Sequence, residues 1–588
     1  MGKVMNAVFK GVNIGFDFGT TYSLASFIER LAKGLELKML SEKQIDSVVV
    51  KTPAGEYECG VEARESISDG EADIVYKGFK MMLAETAEDI LKARKYDTKV
   101  TPEAVTSMFI KKVLEQSISR IDNCEAIDNL VIGVPEIWFK DSTTFDNRAR
   151  LINIVDKLTN VKGEKLVRNV QLVSEPSCAC AYYIFKHKEK TGKDFIGNIL
   201  LVDYGGGTLD IALCDVKANG NTSELAVLER VGTGKNPDEF IGNAGMAYIE
   251  AITKRAIAEQ GIEINSDEQN GGTMYQKINF VETKLKNSAL EIQKTFEDTG
   301  RRNMGHLKEK VLCKFTYEGK QCIVTYFTLY QVYSEIIEKV FEEKLGEIKK
   351  KLDNRKIDYS SKEADDFRIV CVGGFGGFDC VQRQIKKSFD VHTGDKRFNN
   401  EIFSDRSECE KAVSYGAALI ADGVISFKLV APYHIGFTDN HFLEFMSKAK
   451  SDEDVADKLA HIIHYPILRG TVITPDKVEW VGGDEEPAKF YHETNKITIM
   501  LYNTEDDPYN RNDISWGPLL DTYKDKIKLE PNKYYNIGFS LDNSSIVTLH
   551  IQPLKRVGNR NYVKESYKPV RLDNITSIVG MVEKGRLL

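Results

Sequence analysis

A carboxylate, three glycines and a hydroxyl follow one another at Asp203, Gly205, Gly206, Gly207 and Thr208, inside an otherwise apolar stretch. Glycine has no Cβ, so its backbone N–H group can approach a ligand closely, including at positive φ. A row of such N–H groups forms a nest for phosphate. Asp203 would repel the phosphate itself, but it suits a hydrated Mg²⁺ bound to that phosphate. An ordinary glycine hairpin is an equally good interpretation of these residues alone.

A second copy of the pattern favours the phosphate interpretation. Asp17 is followed by an aromatic residue, by Gly19, and by the hydroxyls of Thr20 and Thr21. Each copy lies between two apolar runs, which is typical of two buried strands joined by a turn. The repetition predicts duplicated halves whose turns face each other across one cleft and hold a polyphosphate from both sides.

A third glycine-rich turn lies within residues 367–388, where an apolar run leads through Gly373, Gly374 and Gly376 into a helical pattern. These glycines would let a flat or bulky group approach the backbone. A single loop of this kind is weak evidence, because it can also be a tight connection between a strand and a helix. Its position after the two phosphate-type turns indicates a nucleoside seat.

Charged candidates lie on elements that the sequence predicts to be helical. Glu175 precedes Pro176, which suits the first turn of a helix. A single amphipathic helix is predicted over 280–296, where Glu291 and Lys294 are three residues apart and project from one face. An ordinary surface ion pair is the simpler interpretation of these two residues taken alone.

Composition limits the classes of function. Of the 588 residues 42% are hydrophobic and 29% are charged, as in a soluble globular protein of several domains. The net charge of −8 argues against nucleic-acid partners and against a polybasic membrane role, and no apolar run reaches the length of a membrane helix. The ten cysteines are scattered without a CxxC pair, which indicates a reducing, cytoplasmic compartment.

The pattern changes after residue 424. A short apolar segment, 424–430, is followed by alternating runs separated by turn residues, as in an all-β domain. Residues 446–463 are predicted to form a helical insertion. His461 and His464 could ligate a metal there, but they lack a third ligand at fitting spacing, so a surface helix is the better interpretation.

Five motifs in order give the N-terminal part a family resemblance: IGFDFGTTYS, VSEPSCACAY, LVDYGGGTLD, VCVGGFGGF and AVSYGAA. The chain resembles the seventy-kilodalton heat-shock chaperones, the DnaK-like family, on the actin-like ATPase fold. The C-terminal part resembles the β-sandwich peptide-binding domain of that family more weakly.

The resemblance implies roles for individual residues. Asp17 and Asp203 would hold Mg²⁺ through water, Lys80 would reach the γ-phosphate and the attacking water, and Glu175 would position that water. From its position alone, Lys80 would count as a solvated surface charge. The implied catalytic residues are Lys80, Glu175, Asp203 and Thr208. The implied nucleotide contacts are Gly19, Thr20, Thr21, Tyr22, Gly205, Gly206, Gly207, Thr208, Glu291, Lys294, Gly373, Gly374 and Gly376. The implied cofactors are ATP or ADP and Mg²⁺, with K⁺ as a further candidate.

The resulting expectation for the fold is an α/β actin-like domain of two duplicated lobes over 1–423, a linker over 424–432, and an all-β sandwich over 433–588 without the helical lid of the family. The expected function is ATP hydrolysis coupled to binding of unfolded or extended polypeptide, with co-chaperones and an exchange factor as further partners and no nucleic acid or membrane. A sugar-type kinase and a nucleotide-switched assembly factor on the same fold are the alternatives. Phe375 and Gly377 depart from the serine and arginine of the family motif, so the affinity for the base is expected to differ.

Overall fold

A computed structural model describes residues 11–572, except for 33, 42, 84, 86, 123, 141–144, 220–221, 234–243, 265–271, 300–304, 362–365, 393, 399–401, 404–405, 432–433, 439–462, 486–488, 493–497, 503–515, 519–529, 531 and 559–560. The strands are β1 Val12–Asp17, β2 Tyr22–Leu31, β3 Gly34–Met39, β4 Ile45–Asp46, β5 Val48–Lys51, β6 Tyr57–Cys59, β7 Ile74–Lys77, β8 Ile127–Val134, β9 Val167–Ser174, β10 Gly197–Tyr204, β11 Leu209–Asn219, β12 Thr222–Thr233, β13 Val311–Tyr317, β14 Lys320–Thr325, β15 Phe367–Val372, β16 Ile425–Lys428, β17 His434–Thr438, β18 Ile463–Ile467, β19 Glu479–Trp480, β20 Phe490–His492, β21 Thr498–Tyr502, β22 Trp516–Pro518, β23 Lys533–Leu541, β24 Val547–Val557, β25 Asn561–Lys564 and β26 Val570–Arg571. The helices are α1 Val61–Asp69, α2 Phe79–Met82, α3 Glu88–Ala93, α4 Pro102–Ile118, α5 Ile137–Lys140, α6 Phe145–Asp156, α7 Glu175–Thr191, α8 Gly245–Ala258, α9 Gly272–Asn287, α10 Ala289–Thr299, α11 Gly305–Glu309, α12 Tyr326–Ile336, α13 Glu338–Asn354, α14 Asp379–Ser388 and α15 Arg406–Ala421.

The first large sheet has the order β3-β2-β1-β8-β9, with β4 pairing β2. Strands β1 and β2 are antiparallel and place Asp17 opposite Leu24, so Asp17 ends its strand at the turn. Strands β8 and β9 continue the sheet in parallel with β1. The predicted hairpin around the first glycine turn is therefore confirmed.

The second large sheet has the order β15-β10-β11-β12-β16. Strands β10 and β11 form an antiparallel hairpin in which Asp203 lies opposite Asp210, and β15 adds to β10 in parallel. In each sheet, parallel strands thus extend a group of three antiparallel strands: β8 and β9 in the first sheet and β15 in the second. The strand Ile425–Lys428 forms the outer edge, next to β12.

Close packing of small residues holds α15 against α7. A Cβ at Gly416 on α15 would lie 1.6 Å from the carbonyl oxygen of Cys178 on α7. Cys178 and Cys180 are fully buried, so they act as small packing residues. Ser174 caps α7 through its hydroxyl, which accepts a hydrogen bond from the backbone N–H of Ser177 at 3.4 Å.

The prediction of a single helix over 280–296 is wrong, because two helices, α9 and α10, are separated there by Ser288. Asn287 and Ser288 have short polar side chains that compete with the helical backbone for hydrogen bonds. The break gives Glu291 and Lys294 a helix of their own.

Two compact units divide the chain: Met1–Ile137 with Ile152–Phe427, and Trp138–Leu151 with Lys428–Leu588. Described strands of the second unit form two sheets, β18-β17-β21-β22 and β19-β23-β24-β25, with β20 pairing β23 and β26 pairing β24. The predicted helical insertion lies almost wholly outside the described residues, as does His461, whereas His464 lies in strand β18.

All ten cysteines are free thiols. Within the described ranges, every helix is too short or too polar to cross a bilayer.

Candidate nucleotide site

One cavity in the first unit gathers most of the predicted site residues. The predicted residues among those that line it are Asp17, Gly19, Thr20, Thr21, Tyr22, Lys80, Glu175, Asp203, Gly205, Gly206, Gly207, Thr208, Gly373 and Gly374. They come from the turns after β1 and β10, the start of α2, the start of α7, and the loop after β15. The two carboxylates that end their strands thus open on the same space.

The two glycine turns touch each other. A Cβ at Gly206 would lie 2.2 Å from the Thr21 Oγ1 atom, and one at Gly207 would lie 2.3 Å from the Thr20 Oγ1 atom. None of the three glycines 205–207 has a positive φ. Gly206 and Gly207 are therefore required because the opposite turn leaves no room for a Cβ, and not because of a positive φ.

Four acidic side chains surround one lysine in and beside this cavity. Burial, then the Glu175 carboxylate, raises the pKa of Asp17 to about 8, against the opposing effect of Lys80. Burial and repulsion by Glu175, Asp210 and Asp17 raise the pKa of Asp203 well above its usual range. Burial likewise raises the pKa of Asp210, which the Thr208 hydroxyl and Lys80 oppose. These carboxyl groups can all be ionised near neutral pH only if a bound cation offsets their negative charge.

The donor set fits Mg²⁺, which prefers carboxylate oxygens and keeps several of its waters. Within the described part of the chain, no group of three or more His, Cys, Asp or Glu side chains is arranged to ligate a metal directly.

Lys80 forms a buried ion pair with Glu175. The lysine is 2% exposed, and it enters α2 after Gly78, whose φ of 64° is in the left-handed region that favours glycine. Glu175 is the first residue of α7, where the helix dipole stabilises a carboxylate. The pair fixes the Lys80 ammonium group at the wall of the cavity.

The glycine loop after β15 closes against Asp203. Gly373 has a φ of 83°, and a Cβ there would lie 2.4 Å from the Asp203 Oδ1 atom. Gly374 also lines the cavity, whereas Gly376 does not. A Cβ at Gly376 would lie 2.0 Å from the Val372 carbonyl oxygen, so this glycine shapes the loop itself.

Glu291 and Lys294 are not among the residues that line the cavity. Glu291, on α10, lies 3.8 Å from the ammonium group of Lys310. The cavity is lined instead by Glu282 and Lys286 of α9, which form an ion pair of 2.8 Å. Their i,i+4 spacing is the sequence signal that could have pointed to them. Lys286 also lies 4.2 Å from the centre of the Tyr22 ring.

Comparison with known families identifies the chain. A family model described as Hsp70 protein matches residues 63–431, more than half of the chain. The chain belongs to the Hsp70 family. The resemblance inferred from the five motifs is therefore confirmed.

Curated Hsp70 relatives match part of the chain. "Chaperone protein DnaK" of Endomicrobium trichonymphae is 27% identical over 259 residues, which is 43% of this chain and 37% of that protein. "Chaperone protein DnaK" of Elusimicrobium minutum (strain Pei191) is 25% identical over 263 residues, 44% of this chain and 37% of that protein. The chain thus spans about 37% of the length of these two curated relatives.

Phe375 gives this Hsp70 protein an aromatic wall beside the glycine loop. The ring lines the cavity and packs edge-on against Tyr204 at 5.0 Å and beside Tyr248 at 5.1 Å. It also stacks on Phe378 at 5.5 Å. Phe375 is 5% exposed, so it supports the loop from beneath as part of an aromatic cluster.

Proposed function

We propose that this chain is a chaperone-type ATPase that transfers the γ-phosphoryl group of ATP to water. One observation carries the proposal: two carboxylate-bearing glycine turns and the Lys80–Glu175 pair open on a single cavity. Membership of the Hsp70 family supports the same activity.

Each residue then has a chemical task. Phosphoryl transfer to water needs positioning and charge neutralisation more than covalent chemistry. The backbone of the two turns would hold the phosphates, and Lys80 would stabilise the charge that develops on the γ-phosphate. Glu175 would orient the attacking water, and the Thr208 hydroxyl would contact the phosphate. Mg²⁺, held through water by Asp17 and Asp203, would neutralise the phosphate oxygens.

We also propose that nucleotide state changes how the second unit binds extended, apolar polypeptide. The strand Ile425–Lys428 lies at the edge of the second large sheet, directly before the predominantly antiparallel sheets of that unit. A segment so placed can pass a change in the nucleotide-binding unit to the peptide-binding one. Co-chaperones and an exchange factor would act on the same cycle, and the ten free cysteines support a reducing compartment such as the cytoplasm.

Replacing Lys80 tests the hydrolysis step. Lys80→Met should lower kcat about 10²-fold or more, the usual effect of removing a charged group that stabilises the transition state, while binding of Mg²⁺–ADP remains measurable. Lys92→Met is the matched control, because Lys92 is exposed and pairs only weakly along its helix with Glu88. A wild-type protein that neither binds nor hydrolyses ATP would contradict the proposal. Phosphoryl transfer to small polyols in place of water would favour a kinase.

The coupling to polypeptide has its own test. A fluorescent extended apolar peptide should dissociate faster in the presence of ATP than of ADP, and an unfolded polypeptide should raise the ATPase rate. Peptide binding that is identical in both nucleotide states would remove this half of the proposal and leave the ATPase half intact.

A further inference from the structure

A buried ion pair joins the two large sheets just behind the phosphate cavity. Glu136 follows β8 and is fully buried, and its carboxylate pairs with the guanidinium of Arg230 on β12. Neither residue lines the cavity. A buried ion pair contributes little net stability, because the desolvation of both charges offsets much of their attraction.

The backbone of Glu136 contacts the acidic cluster directly. Its N–H group donates a hydrogen bond of 2.6 Å to the Oδ1 atom of Asp210. Asp210 lies two residues after Thr208 and opposite Asp203 on the neighbouring strand. The position of Glu136 therefore sets the position of a carboxylate in that cluster.

Helix α7 begins beside the same ion pair. The hydroxyl of Ser174 lies close enough to the Glu136 carboxylate to oppose the rise in its pKa that burial causes, and Ser174 caps the helix that begins with Glu175. The carboxylate of Glu136 thus pairs with Arg230 of one sheet and lies beside Ser174, which ends β9 of the other.

Gly232 allows the segment after β8 to lie close to β12. This residue lies opposite Asp210 in the β11–β12 pairing, two residues after Arg230. A Cβ at Gly232 would lie 3.3 Å from the Asp210 Oδ1 atom and 3.7 Å from the backbone nitrogen of Ile137. The segment after β8 can therefore lie against β12 at this point.

We propose that Glu136, held by Arg230, is a positioning residue that fixes Asp210 and the start of α7 in the geometry needed for hydrolysis. The proposal rests on the proposed ATPase activity and assigns a role to residues outside the nucleotide contacts. Because Arg230 lies on β12, the strand that also pairs with β16, the same ion pair ties the cavity to the edge strand Ile425–Lys428.

Substitutions of Glu136 and of two neighbouring residues of β12 test the role. Glu136→Gln keeps the shape and removes the charge, and we expect kcat to fall at least tenfold while the KM for ATP changes less than threefold. Arg230→Lys keeps the charge and should retain an intermediate kcat. Glu229→Gln is the matched control: Glu229 is adjacent, is also buried, and pairs with Lys351 at 3.5 Å, so its loss should lower the unfolding temperature with kcat within twofold of wild type. Equal losses of kcat in Glu136→Gln and Glu229→Gln would overturn the proposal.

Amide hydrogen exchange provides a readout that does not need turnover. Peptides that cover the Glu136 N–H group should exchange at least tenfold faster in Glu136→Gln and Arg230→Lys than in wild type or Glu229→Gln. Peptides that cover β16 should also exchange faster in the same two variants. Unchanged exchange at Glu136 in both variants would refute the positioning role. A wild-type protein without ATPase activity would refute the proposed function alone, and the exchange result would still decide this inference.

Discussion

A methyl group added at Gly206 should push the two glycine turns apart. A Cβ at this position would lie 2.2 Å from the Thr21 Oγ1 atom, whereas real Cβ contacts are essentially never under 3.0 Å. Gly206 does not have a positive φ, so alanine is acceptable to the backbone. The effect of Gly206→Ala therefore comes from contact with the opposite turn.

The size of the effect follows from the displacement. The turns must separate by about 1 Å to relieve the contact, and a misplacement of about 1 Å at a reacting centre costs about 10²-fold in rate. We therefore expect kcat/KM for ATP to fall about 10²-fold, equal to about 2.7 kcal/mol of transition-state stabilisation. Gly205→Ala should lose at least tenfold less, because the nearest neighbour of its Cβ, the Thr208 carbonyl oxygen, is 3.8 Å away.

A double mutant separates this contact from general damage. Thr21→Ala removes the Oγ1 atom and leaves the Thr21 Cβ 3.3 Å from the new methyl group, a separation that a small shift relieves. We expect Gly206→Ala to cost much less in the Thr21→Ala background than in wild type, as measured by steady-state ATPase kinetics. Gly346→Ala, in open space on α13, is the control outside the site. Strict additivity of the two substitutions would refute the facing arrangement of the turns.

Three further outcomes are expected. Glu282→Gln and Lys286→Met should each weaken Mg²⁺–ADP binding more than Glu291→Gln does, measured by calorimetry; equal effects would contradict the cavity lining. Burial lowers the pKa of His550 from 6.5 to about 4, so the unfolded chain binds more protons between these values and stability is lost as the pH falls from about 6.5 to about 4; His550→Gln should flatten that dependence in denaturant titrations. Gly416→Ala should lower the unfolding temperature by several degrees, since its Cβ would overlap the backbone of α7; an unchanged temperature would show that the helix contact is loose.

Local signals were sufficient for the parts of the site built from single turns. The carboxylate, glycine and hydroxyl sequence at 17–21 and 203–208 fixes both the turn and the strands beside it, because an apolar strand pattern and a glycine turn are short-range features. The capped start of α7 at Glu175 was predictable for the same reason, from Ser174 and Pro176.

Long-range pairing could not be predicted in the same way. Glu282 and Lys286 line the cavity, whereas the predicted pair Glu291 and Lys294 does not, and one helix was expected where Ser288 separates two. The choice between the two charged pairs depends on which helix reaches the cavity, and that is set by tertiary packing. The partnership of Glu136 with Arg230 joins residues 94 positions apart, and nothing local in either segment marks it.

Hydrogen exchange on adding Mg²⁺–ADP tests the central claim most directly. The account predicts that peptides covering residues 15–22 and 203–210 become protected together, at the same ligand concentration, because both turns bind one nucleotide. Protection of a single turn, or of neither, would contradict it.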